Sequence, residues 1–129
     1  MRILLTEDDD SVRAFVSRAL QLDGHSVEVA SHGLEALERL TENDGRFDLL
    51  VTDVKMPVMD GIALAHEAAS NWPNLPILLM TGFADQRERA NDLAQVIRDV
   101  VLKPFTLQQI RDAVSEAFGE EKREAEKAA

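Results

Sequence analysis

Short apolar runs alternate with amphipathic stretches along the chain. The runs fall at residues 2–6, 26–30, 49–52, 77–80 and 99–102. Each has strand length and is bounded by polar or turn-forming residues. After the first run, Val12, Phe15, Val16, Ala19 and Leu20 recur at the i, i+3, i+4, i+7, i+8 spacing of an apolar helix face. Leu34, Leu37 and Leu40 form a second stripe, Ile62, Ala65 and Ala69 a third, and Leu93, Val96 and Ile97 a weaker fourth. Leu107, Ile110 and Val114 mark a last helix. Thr106 with Gln109 reads as its capping box, and Phe105 with Ile110 as a hydrophobic staple.

Five β/α alternations with runs this apolar predict an α/β fold, a five-stranded parallel sheet with helices on both faces. Residues 1–118 read as one domain without an internal linker. Gly119 is placed to stop the last helix, and residues 119–129 form a charged, Ala-rich tail that frays or extends it. A length of 129 residues with 45% hydrophobic content suits one domain with a real core.

Charge narrows the function. Net charge is −10, from 24 acids against 14 bases. That argues against direct binding of nucleic acid or an anionic membrane, both of which need basic surface. The chain has no cysteine, which excludes disulfides and thiolate metal sites. No apolar run approaches the ~18 residues of a membrane span, and Met1-Arg2-Ile3 leads straight into a strand without a cleavable signal. A soluble, cytoplasmic location is expected.

Four acids, Glu7-Asp8-Asp9-Asp10, follow the first apolar run directly. Carboxylates crowded there repel one another unless a cation sits among them. In a doubly wound sheet, ligands bind at the carboxyl ends of the strands. Those ends carry Glu7 and Asp8, then Asp53, Thr81, and Lys103 followed by Pro104; the second strand offers only Ala30-Ser31. Three carboxylates suit Mg²⁺, which prefers oxygen ligands and keeps several waters. Thr81 can donate to an anion and Lys103 can neutralise it. The set fits phosphoryl transfer, with a carboxylate as the nucleophile. Asp9 and Asp10 are better read as caps of the first helix, and Asp60 as the cap of the third. His25, His32 and His66 lack ligand spacing and read as surface or packing residues. Trp72 reads as loop packing, and Met56 and Met59 as space-filling residues flanking a proline turn.

Four motifs carry a resemblance over residues 1–118: Ile3-Leu4-Leu5-Thr6-Glu7-Asp8-Asp9-Asp10, Thr52-Asp53-Val54-Lys55-Met56-Pro57-Val58-Met59-Asp60-Gly61, Thr81-Gly82 and Lys103-Pro104-Phe105. In order and at strand ends, they resemble the receiver domains of two-component response regulators. The resemblance implies a flavodoxin-like sheet of order 2-1-3-4-5 and makes Asp53 the phosphoacceptor. The donor would be a phosphohistidine on a sensor histidine kinase or a phosphotransfer protein. Alignment on Arg13, where the family often has a basic residue, makes Glu7 and Asp8 the acidic pair. Asp8 would bind Mg²⁺ directly and Glu7 through water, with Asp53 and the Lys55 backbone carbonyl as further ligands. Thr81 would be the switch hydroxyl, Lys103 would pair with the phosphoryl group, and Pro104 would follow a cis peptide.

The chain departs from the family's pattern in places. Val100 stands where an aromatic partner of the switch hydroxyl is common. Lys55 and Phe83 occupy the positions that tune attack of water on the phosphoryl group, and neither can orient that water as a carboxylate or amide does. A long-lived phospho-Asp53 is therefore expected. No output domain follows the receiver motifs, so action is expected through protein contacts, mostly at residues 84–118. Met80-Thr81-Gly82-Phe83-Ala84 and Val100-Val101-Leu102 resemble the CpdR subgroup, whose members control proteolysis by the ClpXP protease as unphosphorylated adaptors. Ala128-Ala129 resembles tails that such proteases recognise. A relay intermediate serving a histidine phosphotransfer protein is the alternative. A phosphatase with an Asp nucleophile would need a second acid two residues later, where Lys55 stands. The chain is thus expected to be no enzyme beyond its own phosphotransfer and dephosphorylation.

Overall fold

The computed structural model describes residues 1–82 and 97–128, with side chains through residue 117. Its elements are β1 (Arg2–Thr6), α1 (Asp10–Leu22), β2 (Ser26–Ala30), α2 (Gly33–Glu42), β3 (Leu49–Asp53), α3 (Gly61–Asn71), β4 (Ile77–Thr81), β5 (Asp99–Leu102) and a C-terminal helix (Leu107–Ala128). All five strands are parallel, in the order β2-β1-β3-β4-β5. This is the expected flavodoxin-like, doubly wound sheet.

Side-chain alternation along the strands divides the core in two. Leu4, Leu50, Ile77 and Leu79 face α2 and α3, where Ala36, Leu40, Leu64, Ala65 and Ala68 meet them. Ile3, Leu5, Leu49, Val51, Leu78 and Met80 face α1 and the C-terminal helix, packing on Val16, Leu20, Ile110 and Val114. Every residue of β3 and β4 is buried, as central parallel strands require.

β3 and β4 each run one residue beyond their apolar runs. Asp53 pairs with Met80, and Thr81 pairs with Leu102. The ladder thereby sets the backbone of two polar site candidates rather than leaving them to loops. The last helix starts as the capping box dictates: Thr106 N–H donates to Gln109 Oε1 at 2.8 Å, and Gln109 N–H to Thr106 Oγ1 at 3.1 Å. It does not stop at Gly119 but continues to Ala128; a glycine inside a helix costs only about 1 kcal/mol.

Two of the described stripe residues are exposed. Phe15 is 42% and Leu34 43% exposed. The buried face of α2 runs through Gly33, Ala36 and Leu40, which turns Leu34 outward. Phe15 lies at the margin of α1's buried face and instead meets Phe105, ring centroids 6.4 Å apart. Ile97 packs against the α2–α3 side of the core, with Val100. Leu93, Val96, Phe83 and much of the expected contact face at 84–118 lie outside the described residues. No described helix is long and apolar enough to cross a membrane.

Candidate functional site

Helix-capping geometry sorts the acidic run. Asp9 is the N-cap of α1, its Oδ1 accepting from Ser11 N–H at 2.9 Å and Val12 N–H at 3.0 Å. Asp10 sits in the first turn and pairs with Arg13. Glu7 and Asp8 remain in the turn between β1 and α1. Their carboxylates and that of Asp53 bring oxygens within 4.8 Å of one another. Glu7 and Asp53 are buried and Asp8 is exposed.

Glu7 is tied at both carboxylate oxygens. Oε1 accepts from Asp9 N–H at 3.1 Å and Oε2 from Lys103 Nζ at 2.7 Å. The same ammonium stands 3.1 Å from Asp53 Oδ1. Lys103 leaves the end of β5, and its N–H donates to Thr81 O at 2.8 Å. The Lys103–Pro104 peptide is cis. Together these residues line an open crevice of about 510 Å³ that includes Lys55 and Gly82. Thr81 lies behind that lining, fully buried at the end of β4.

Close backbone packing fixes the turn after Asp53. Asp60 caps α3 by accepting from Ala63 N–H at 2.8 Å, and Gly61 N–H donates to Val54 O at 2.8 Å. A Cβ at Gly61 would lie 2.0 Å from the Asp53 carbonyl oxygen, so only glycine lets α3 begin there.

Electrostatics follow from burial. Burial pushes the Asp53 carboxyl above its ordinary value; Lys103 opposes this, and the charge of Asp8 adds to it. Burial likewise raises Glu7, against the Lys103 hydrogen bond, and Asp53 adds repulsion. Burial works against the Lys103 ammonium, yet the hydrogen bond to Glu7 and the charge of Asp53 outweigh it and raise its pKa. Four acids, Glu7, Asp8, Asp9 and Asp53, line the crevice against two lysines, Lys55 and Lys103, so its formal charge is net negative. Its converging oxygen donors fit a hard cation such as Mg²⁺. With both oxygens of Glu7 already hydrogen-bonded, Asp8 and Asp53 are better placed as direct ligands.

A family model described as the response regulator receiver domain matches residues 3–115. The chain belongs to that family. The CpdR receiver protein of Brucella abortus is 44% identical over 115 residues, covering 89% of this chain and 92% of that protein. The response regulator MprA of Mycobacterium leprae is 40% identical over 110 residues, 85% of this chain and 47% of MprA. The sensor kinase CckA of Brucella abortus is 39% identical over 114 residues, 88% of this chain and 12% of CckA. The chain therefore spans about half the length of MprA and a small part of CckA. Among solved structures, a Clostridium thermocellum receiver domain covers 93% of this chain and 95% of its own, with TM-score 0.84 and 28% identity. The response regulator TrrA of Thermotoga maritima, solved in complex with Mg²⁺ and BeF, covers 90% and 97%, with TM-score 0.80 and 27% identity.

Two contacts of this receiver domain escaped the sequence pattern. Arg13 Nη1 donates to the Glu7 carbonyl oxygen at 2.9 Å. His32 is the N-cap of α2, its Nδ1 accepting from Glu35 N–H at 3.1 Å. Glu35, three residues after His32, was the available signal, but histidine is not among the preferred caps.

Proposed function

We propose that this receiver domain accepts a phosphoryl group on Asp53 from a phosphohistidine, in a Mg²⁺-dependent reaction, and acts by phosphorylation-controlled protein binding. The observation that carries the reading is the Lys103 ammonium placed between Glu7 and Asp53 in the lining of the crevice. An Asp53 oxygen attacks phosphorus, the P–N bond breaks, and its electron pair leaves with the imidazole, which takes up a proton from solvent. An acyl phosphate remains. Lys103 opposes the burial that disfavours the charged Asp53 carboxylate before transfer, and pairs with phosphoryl oxygens afterwards. Thr81, whose carbonyl is already tied to Lys103 N–H, supplies the hydroxyl that follows the phosphoryl group. Asp8, Asp53 and the Lys55 carbonyl, with Glu7 through water, would hold Mg²⁺, which neutralises charge on the phosphoryl oxygens when bound. TrrA's complex with Mg²⁺ and BeF supports this reading.

The donor is a sensor histidine kinase or a histidine phosphotransfer protein. An apolar groove of about 340 Å³, lined by Val12, Phe15, Pro104 and Phe105 beside the crevice, offers such a partner a surface. Downstream, the likeness to CpdR over nearly the whole of both chains supports CpdR-like control of ClpXP proteolysis in the cytoplasm. Likeness to a segment of the kinase CckA favours a second reading, a relay intermediate passing phosphate to a phosphotransfer protein. A pull-down from native cytosol with wild type and Asp53→Ala, with and without phosphodonor, separates them. Capture of the protease by the unphosphorylated form supports the adaptor; capture of phosphotransfer proteins alone supports the relay.

A further inference from the structure

A turn aims its side chains only as well as its peptides are fixed, and Asp8 departs from such a turn. On one side, Glu7 N–H donates to Ala30 O at 3.1 Å, which ties the turn to β2. On the other side, Arg13 Nη1 donates to the Glu7 carbonyl oxygen at 2.9 Å. That oxygen belongs to the peptide joining Glu7 to Asp8, so the bond sets the plane from which Asp8 leaves. Arg13 projects from α1, whose Val16, Ala19 and Leu20 are fully buried against the sheet. Its second arm pairs with Asp10, one turn earlier. The Arg13 side chain is only 21% exposed and its bond to the Glu7 carbonyl is partly buried, so water competes weakly for that bond, whereas Asp10 is exposed to solvent.

We propose that Arg13 is a positioning residue for the cation site, fixing the Glu7–Asp8 peptide and so setting the affinity for Mg²⁺. This rests on the reading of Glu7, Asp8 and Asp53 as that site. Simple Coulomb reasoning assigns Arg13 the opposite effect, because a cation beside the acids repels Mg²⁺. The sign of the change on removing Arg13 therefore decides between positioning and bare charge.

Titration calorimetry with MgCl₂ on the unphosphorylated full chain reads that sign. Arg13→Met, which loses donor and charge together, is expected to weaken Mg²⁺ binding about tenfold, the low end of what loss of a ligand's support costs. Arg13→Lys, which keeps the charge and one donor on a different head group, should recover part of that loss. Melting curves of the same samples confirm a folded chain at the titration temperature. If Arg13→Met does not fold, Arg13→Lys carries the test, with a loss of about two- to fivefold expected. Unchanged or tighter Mg²⁺ binding by the folded variant overturns the positioning role alone. A wild type that binds no Mg²⁺ overturns the cation site and that role together.

Discussion

The Lys103 ammonium donates to the Glu7 carboxylate across 2.7 Å, although 96 residues separate the two in sequence. The contact joins the ends of β1 and β5, with Asp53 at the end of β3 between them. Glu7 is 1% exposed and Asp53 6%, so this ammonium is the principal compensation for two buried charges.

Lys103→Met should therefore destabilise the metal-free chain by about 2–3 kcal/mol, below the ~3–5 kcal/mol of a fully buried pair because Lys103 is partly exposed. Denaturant unfolding in chelator measures it. A variant as stable as wild type would mean that water, not Lys103, screens the pair.

Burial raises Glu7 and Asp53 above their ordinary 4.5 and 3.8, so the folded chain retains protons that the unfolded chain has released. Their contribution to stability is greatest in acid and falls as pH rises from those values through the folded ones. Lys103, also raised, contributes stability fully present below 10.5 and lost as pH rises through its folded value. Asp53→Asn should thus stabilise the metal-free protein near neutral pH, with the gain shrinking toward about pH 4. Urea unfolding across that range checks this, and a gain independent of pH would contradict it.

The acidic run should divide by position. Asp8→Ala is expected to abolish Mg²⁺-dependent phosphorylation. Asp9→Ala should cost about 1 kcal/mol as a lost N-cap, and Asp10→Ala should likewise act mainly on stability. Phosphorylation assays beside melting curves separate the classes; the opposite pattern would overturn the division.

Gly61→Ala should destabilise by about 1–3 kcal/mol, the usual cost of overpacking, because its Cβ meets the Asp53 carbonyl. It should also slow phosphorylation by displacing Asp53. Wild-type kinetics in a folded Gly61→Ala would show that the turn adapts.

Much of this was legible in the sequence because the central strands β1, β3 and β4, buried on both faces, leave near-continuous apolar runs. The partly exposed edge strands β2 and β5 could be read from their place in the alternation of short runs and helical stretches, and the polar residues after each run followed from those bounds. Asp53 and Thr81 escaped the strand boundaries because a polar residue ends an apolar run even where the ladder continues. Gly119 misled for a related reason: glycine is common after helices, yet one glycine costs too little to end a helix. The Arg13–Glu7 contact left no periodic trace, since it joins a side chain to a carbonyl in a turn. The outward turn of Leu34 depends on how α2 rolls on the sheet, which three leucines in register do not specify.

If residues 55 and 83 tune attack of water as the family resemblance implies, phospho-Asp53 should outlast the phosphoryl groups of fast-cycling chemotaxis regulators, because Lys55 and Phe83 carry no carboxylate or amide to orient that water. Loss of label after removal of the donor gives the lifetime; decay within seconds would count against it.

Incubation with phosphoramidate, whose P–N bond stands in for phosphohistidine, tests Asp53 as the Mg²⁺-dependent phosphoacceptor. Intact-mass measurement should find a single added phosphoryl group, labile to hydroxylamine, in wild type with Mg²⁺. It should find none in chelator and none in Asp53→Asn. Equal labelling of Asp53→Asn would rule out Asp53 as the phosphoacceptor, and labelling indifferent to Mg²⁺ would rule out the metal's part in the reaction.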